Sequence, residues 1–233
     1  MEEQNKPRKI IIYQLHDEYK GFPDPREIPD EQRDPDGLYA VGGDLSPLRL
    51  LNAYSLGIFP WFSFRGEQML WYCPTQRFVI FPDEIHVSHS MRTLLNKRLY
   101  SATIDRDFAG VIARCSEQRI DMPGAWLGPD MIAAYTELHR RRYAHSVEVW
   151  DADGRLVGGL YGIELNKCFF GESMFSDVPS ASKIALIYLA RVLRSIGGPM
   201  IDCQFETPHL RSMGGRHIPY AAYMRLLHPE PNS

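Results

Sequence analysis

The chain has 233 residues, 44% of them apolar and 12% aromatic, and a formal net charge of −3. That length carries a sizeable core in one large domain or two small ones. The slightly acidic balance excludes a protein that coats nucleic acid indiscriminately, so any such contact is local. No run reaches the roughly 18 apolar residues of a membrane span, and the opening MEEQNKPRK lacks the apolar middle of a signal peptide, so a cytoplasmic protein with no membrane association is expected. Cys73, Cys115, Cys168 and Cys203 are far apart with no C-x-x-C pair. They read as reduced thiols, with neither a zinc site nor a disulfide framework.

In chain order, IIIYQL reads as a strand, and the Pro- and acid-rich stretch from Gly21 to Pro47 as an irregular surface wrap. Asp44 or Ser46 caps a helix carrying Leu50, Leu51 and Tyr54, and Gly57 suits its C-terminal stop. After the aromatic loop GIFPWF come two short strands broken at Pro74. The helix HSMRTLLNKR and the strand LYSATID complete a small α+β N-terminal domain, residues 1–105.

From residue 106 the spacing predicts a helix in FAGVIARCSEQ, a loop carrying Trp126, and a helix in PDMIAAYTELHRRRY with Met131, Ile132, Tyr135 and Leu138 on one face. A three-stranded meander follows over 146–175, its turns marked by DADG and Asn-Lys. Then come a helix over ASKIALIYLARVLRSIGG, capped by Ser180, and a returning strand PMIDCQF. The whole is α+β, and its second domain, 106–233, has the strand and helix order of the GNAT acyltransferase fold. The turn SDVPSAS, where that fold cradles the diphosphate of coenzyme A on a Gly-rich loop, has no glycine, so coenzyme A is not the expected donor and no cofactor is called for.

Several motifs weaken on inspection. SASK fits the S-x-x-K nucleophile pattern, but its companion motifs are missing and helix capping explains it. His86 and His89 form an H-x-x-H with no third ligand nearby, so no metal site is expected. The basic residues Arg92, Lys97 and Arg98 suit either a solvated helix face or phosphate contacts. Strand alternation puts Asp202 and Gln204 on one face of PMIDCQF, and groups Phe170, Glu172 and Met174 in CFFGESMF if no bulge intervenes. A carboxylate among apolar side chains is either a paired structural ion or a binding group. Trp61 and Trp126 sit beside Pro or Gly in loops, where an aromatic stacks on a ligand.

Together GLYAVGGDLSPLRLLNAYSLGIFPWF, HSVEVWDADGRLVGGLYG, FFGESMFSDVPSASK and IDCQFETPHLRSMGG resemble the bacterial leucyl/phenylalanyl-tRNA protein transferases over residues 37–225. The resemblance implies an enzyme that takes leucine or phenylalanine from Leu-tRNA or Phe-tRNA. The residue is joined to the α-amine of proteins beginning with Arg or Lys, giving an N-degron for Clp-type proteolysis. By motif, Asp202 and Gln204 are similar to the family's proposed catalytic pair, and Glu172 to its active-site glutamate. Phe169, Met174 and Ile201 match its apolar pocket, with Ser173 beside them. Trp61, Trp126 and Tyr54 match the aromatics near the aminoacyl-adenosine end, and Arg92, Lys97 and Arg98 its tRNA patch. Leu160 and Leu189 stand where some relatives have methionine and phenylalanine, and FETPH replaces the common VLNDH.

On this reading Gln204 orients the acceptor amine, Asp202 polarises the Gln204 amide from behind, and Glu172 draws a substrate's positive charge into an apolar cleft. A monomer is expected. The alternatives are a non-catalytic tRNA- or peptide-binding module of the same fold and a relative that transfers a different amino acid.

Overall fold

Pro74 separates two strands that belong to different sheets. In the computed structural model, which describes residues 9–61, 68–118 and 128–230, the chain divides into two compact units, 1–75 and 76–233. The boundary expected near residue 105 therefore moves to the 75/76 junction. The strands Gln76–Ile80 and Ser101–Ile104 that follow Pro74 both join the second sheet, and Phe78, Ile80 and Met91 enter the core beneath it.

The first unit contains β1 (Tyr13–Leu15), β2 (Leu38–Gly42), α1 (Pro47–Ser55), β3 (Phe59–Pro60) and β4 (Leu70–Tyr72). Its sheet runs β1-β2-β4-β3, with β1 parallel to β2 and the other pairs antiparallel. Strand β2 lies inside the stretch expected to be irregular. Its alternation is short and flanked by Gly37 and Gly43, which hides it among breakers. Trp71 is fully buried at the centre and its indole N–H donates to the Gly42 carbonyl at 2.9 Å. Ser46 occupies the N-cap position of α1 without a side-chain cap, and Asp44 instead accepts from the Ser46 amide at 3.1 Å and its hydroxyl at 2.8 Å.

The second unit contains β5 (Gln76–Ile80), α2 (His89–Asn96), β6 (Ser101–Ile104), α3 (Phe108–Glu117), α4 (Pro129–Arg140), β7 (Ala144–Trp150), β8 (Leu156–Leu165), β9 (Cys168–Ser176), α5 (Ala181–Ser195), β10 (Ile201–Asp202), α6 (Pro208–Ser212), β11 (Arg216–Pro219) and α7 (Tyr220–Leu227). The seven-stranded sheet runs β11-β5-β10-β9-β8-β7-β6. Strands β7 to β9 form the expected antiparallel meander. Helix α5 then crosses over, so that β10 returns parallel to β9. That meander, crossing helix and parallel return strand place the unit in the α+β class.

Helix α5 buries Ile184, Leu186, Ile187, Leu189 and Leu193 against the sheet, joined by Met91 of α2 and by Phe169 and Ile201 of β9 and β10. Each such side chain contributes about 1.5–3 kcal/mol of burial before entropy is charged against it. The opposite face carries α3 and α4, where Phe108 and Tyr135 meet the Tyr161 ring of β8 edge-on. Ser180 precedes α5 in a left-handed conformation without capping it; the Ser176 hydroxyl caps instead, accepting from the Ser182 amide at 3.2 Å. Among the described residues no helix is long and apolar enough to cross a membrane.

The β8–β9 pair is tightest at Gly162, where a Cβ would lie 2.0 Å from the Phe170 carbonyl oxygen. Gly162→Ala is therefore expected to lower unfolding free energy by about 1–3 kcal/mol, the usual cost of overpacking, as read by urea denaturation.

Candidate active site

Strands β9 and β10 pair only through Phe169–Ile201 and Phe170–Asp202. Beyond that point β9 runs on to Ser176, while the other chain turns away and bonds to β5 through Cys203 N–H to the Phe78 carbonyl. The two backbones separate where Glu172, Asp202 and Gln204 are found.

Glu172 owes its direction to a register shift. Gly162 pairs with Gly171 and Tyr161 with Ser173, which leaves Glu172 as the extra residue of a β-bulge. The bulge breaks the expected grouping of Phe170, Glu172 and Met174: Phe169 and Met174, five positions apart, both pack into the cluster under α5. Glu172 and Ser173 take the other face, towards α4. There Glu172, 7% exposed, accepts from the Tyr135 hydroxyl at 2.8 Å and from the Gln204 side-chain amide at 3.1 Å.

Asp202 does something other than polarise the Gln204 side-chain amide. Its carboxylate is wholly buried and takes a two-pronged ion pair from Arg77, itself wholly buried, with Nε–Oδ1 at 2.8 Å and Nη2–Oδ2 at 2.7 Å. The Tyr223 hydroxyl of α7 adds a bond at 2.9 Å, and the Arg77 guanidinium lies over the Tyr223 ring at 4.8 Å. Burial, and then the charge of Asp202, hold the Tyr223 phenol well above its ordinary range, so it remains a donor. The remaining bond of Asp202 is to the main-chain N–H of Gln204, at 2.8 Å. Asp202 fixes the backbone of Gln204 and leaves the amide end of its side chain to Glu172.

Gln204 accordingly leaves the extended conformation. Its φ is +63°, in the left-handed region, and its carbonyl accepts from the Phe78 amide at 3.3 Å. The expected sharing of one strand face by Asp202 and Gln204 fails because β10 ends at Asp202. The half-buried Gln204 side chain gives its NH2 to Glu172, and its carbonyl oxygen has no partner among the described residues. The site thus offers an oriented, unused hydrogen-bond acceptor beside a carboxylate that holds it in place.

The structure joins Glu172, Gln204 and Asp202 in one network and gathers Phe169, Met174 and Ile201, with Leu160 and Leu189, into one apolar cluster. Ser173 Oγ is buried beside Glu172 without a hydrogen-bond partner among the described residues. Tyr54 is fully buried in the first unit, and Trp61 is half-buried there, edge-on to Tyr72 at 5.3 Å. Trp126 lies outside the described residues. Arg92, Lys97 and Arg98 are exposed on and just after α2, where Arg92 Nε donates to the Val87 carbonyl and none of the three makes an ion pair among the described residues. Burial, and then the charge of Asp202, push the Cys203 thiol well up. No group of His, Cys, Asp or Glu among the described residues is arranged to hold a metal.

Arg77, Tyr135 and Tyr223 are the members that sequence reasoning missed. Arg77 carried a signal, a lone cation in the otherwise apolar strand RFVIF, which requires a buried counter-charge. Tyr135 read as an ordinary apolar helix position, and nothing in the sequence singled out Tyr223.

A family profile described as leucyl/phenylalanyl-tRNA protein transferase matches residues 79–228, and the profile of that family's N-terminal domain matches residues 43–75. A protein of that name from Nitrosomonas eutropha is 54% identical over 194 residues, covering 83% of this chain and 82% of the relative. One from Nitrosospira multiformis is 52% identical over 193 residues, covering 83% and 82%. One from Pseudomonas fluorescens is 53% identical over 186 residues, covering 80% and 81%.

Arg77 falls between the two matched stretches, so its importance rests on geometry. Arg77→Met strands a buried carboxylate and is expected to cost about 3–5 kcal/mol of unfolding free energy, measured by chemical denaturation. An unchanged denaturation midpoint would refute the role of this pair.

Proposed function

The chain belongs to the leucyl/phenylalanyl-tRNA protein transferase family, and we propose that it moves leucine or phenylalanine from its charged tRNA onto the N-terminal α-amine of proteins beginning with Arg or Lys. The product is an N-degron for Clp-type proteolysis, and the enzyme works in the cytoplasm as a monomer. The observation that carries this reading is the unused carbonyl oxygen of Gln204, held beside Glu172 at the point where β9 and β10 part.

The donor is an activated ester, so no covalent enzyme intermediate is needed. Holding amine and carbonyl together supplies up to about 7–11 kcal/mol of the barrier. An N-terminal amine, with an ordinary pKa of about 7.7–8.0, is partly neutral at working pH, and a hydrogen-bond acceptor then serves to aim its lone pair. Gln204 Oε1 accepts from that amine. The proton leaves through a ribose hydroxyl of the donor, since an amide is a poor base. Phe169, Met174 and Ile201, with Leu160 and Leu189, receive the donor side chain, and burying a leucine or phenylalanine there contributes about 1.5–3 kcal/mol. A charged side chain in the same cluster would lose its hydration without a partner. Trp61, Trp126, Tyr54 and Ser173 are assigned to substrate binding, and Arg92, Lys97 and Arg98 to phosphates of the tRNA.

Transfer of labelled leucine from Leu-tRNA to peptides beginning with Arg, Lys, Asp or Met tests the reading. Label should appear on the Arg and Lys peptides and fall strongly with Gln204→Ala. No label on any peptide would favour a non-catalytic module or a different donor amino acid. Replacing Lys97 and Arg98 by alanine should weaken tRNA binding and reduce the slope of log affinity against log salt by about one for each lost phosphate contact. An unchanged slope would return these residues to a solvated face.

A further inference from the structure

The carboxylate of Glu172 has no hydrogen to give, so whatever faces it must donate. The Tyr135 hydroxyl donates to Oε2 and the Gln204 NH2 to Oε1. A glutamine amide has two ends of similar shape and opposite polarity. An end-over-end turn of the Gln204 amide would put its carbonyl against the carboxylate and its NH2 where the acceptor amine must approach. Main-chain restraint does not forbid that turn, because Asp202 and Phe78 hold only the Gln204 backbone.

From this we infer that Glu172 is a positioning residue, whose carboxylate dictates which end of the Gln204 amide faces the substrate, and that collecting substrate charge is not its task. The inference rests on the transferase reading for its kinetic consequence and on geometry alone for the amide orientation. Tyr135 belongs to the same device. Its hydroxyl comes from α4, a different element from either strand, and holds the second carboxylate oxygen so that the first stays on Gln204. The bulge in β9 follows from the same requirement: without the extra residue, the alternation that sends Gly171 and Met174 to the α5 side would set Glu172 in another register.

Glu172→Gln is the decisive variant, because it keeps size and shape but can donate as well as accept, so both orientations of the Gln204 amide become available. Measured with Arg-starting and Lys-starting peptides, kcat should fall roughly tenfold or more while KM for the peptide stays within about twofold, the pattern of an interaction needed in the transition state. The exchanged pair Glu172→Gln/Gln204→Glu again places an amide donor against a carboxylate and leaves an oxygen facing the substrate, so it should recover activity relative to the single variant. In the wild-type protein the side-chain NH2 resonances of Gln204 should exchange slowly with solvent, and the single variant should speed that exchange.

If Glu172→Gln instead raises KM for the basic peptides and spares kcat, Glu172 binds the acceptor and the inference is overturned. An exchanged pair no better than the single variant, or unchanged amide exchange, also overturns it. Urea midpoints monitor folding, and Tyr135→Phe, which deletes only the hydroxyl partner of Oε2, should show the same kcat signature in smaller measure. A wild-type protein that moves no label defeats the transferase reading, and the amide-exchange measurement still decides the role of Glu172.

Discussion

A guanidinium and a carboxylate, both entirely out of water, tie β5 to the end of β10. Taking either ion into the interior alone would cost several kcal/mol, so each requires the other, with Arg77 supplying two parallel N–H donors and Tyr223 and the Gln204 amide filling the remaining acceptor positions. The pair sits where β9 and β10 cease to bond to each other. It keeps the Asp202 carboxylate paired at the point where the backbone turns away from β9. In the fold Asp202 anchors the main chain of the residue that follows it by two.

The polar network passes from α7 through Asp202 to the main chain of Gln204, and from its side chain through Glu172 to α4. Gln204 is thus held from both ends, its main chain by Asp202 and its side-chain NH2 by Glu172. A hydrogen-bonding group fixed in this way has little reorganisation left to undergo when a ligand meets it. The start of α5 follows a related economy. Its early amide hydrogens are occupied by Ser176 Oγ and the Val178 carbonyl, whereas acyltransferases that use a diphosphate-bearing donor need such amides for the ligand.

Much of the architecture was legible from periodicity. The meander announced itself through alternation and through the Asp-Gly and Asn-Lys turns, and α5 through its spacing and Gly197, whose φ is +70°. The two-residue strand β3 and the boundary at Thr75 were not: β3 lies in a stretch that reads as a loop, and Leu70–Tyr72 and Gln76–Ile80 both read as short strands although they join different sheets. The residue types of the site were legible, and their relations were less so. A bulge moves a side chain across the sheet without altering the sequence pattern, and a positive φ at a glutamine has no composition signal at all. Asp202 and Arg77 lie far apart in the chain, so only the fold could show them as partners.

The left-handed backbone at Gln204 has a consequence of its own. Of the common residues only glycine adopts that conformation freely, and an L side chain there costs about 1–2 kcal/mol. The chain therefore carries a permanent strain at 204, of a kind that accumulates where evolution has valued chemistry over thermodynamic comfort. Glycine would relax that backbone, but it would take away the NH2 that Glu172 accepts from and leave the opening between the strands without its acceptor. The residue that makes the protein slightly less stable than it needs to be is the one that gives the opening its acceptor.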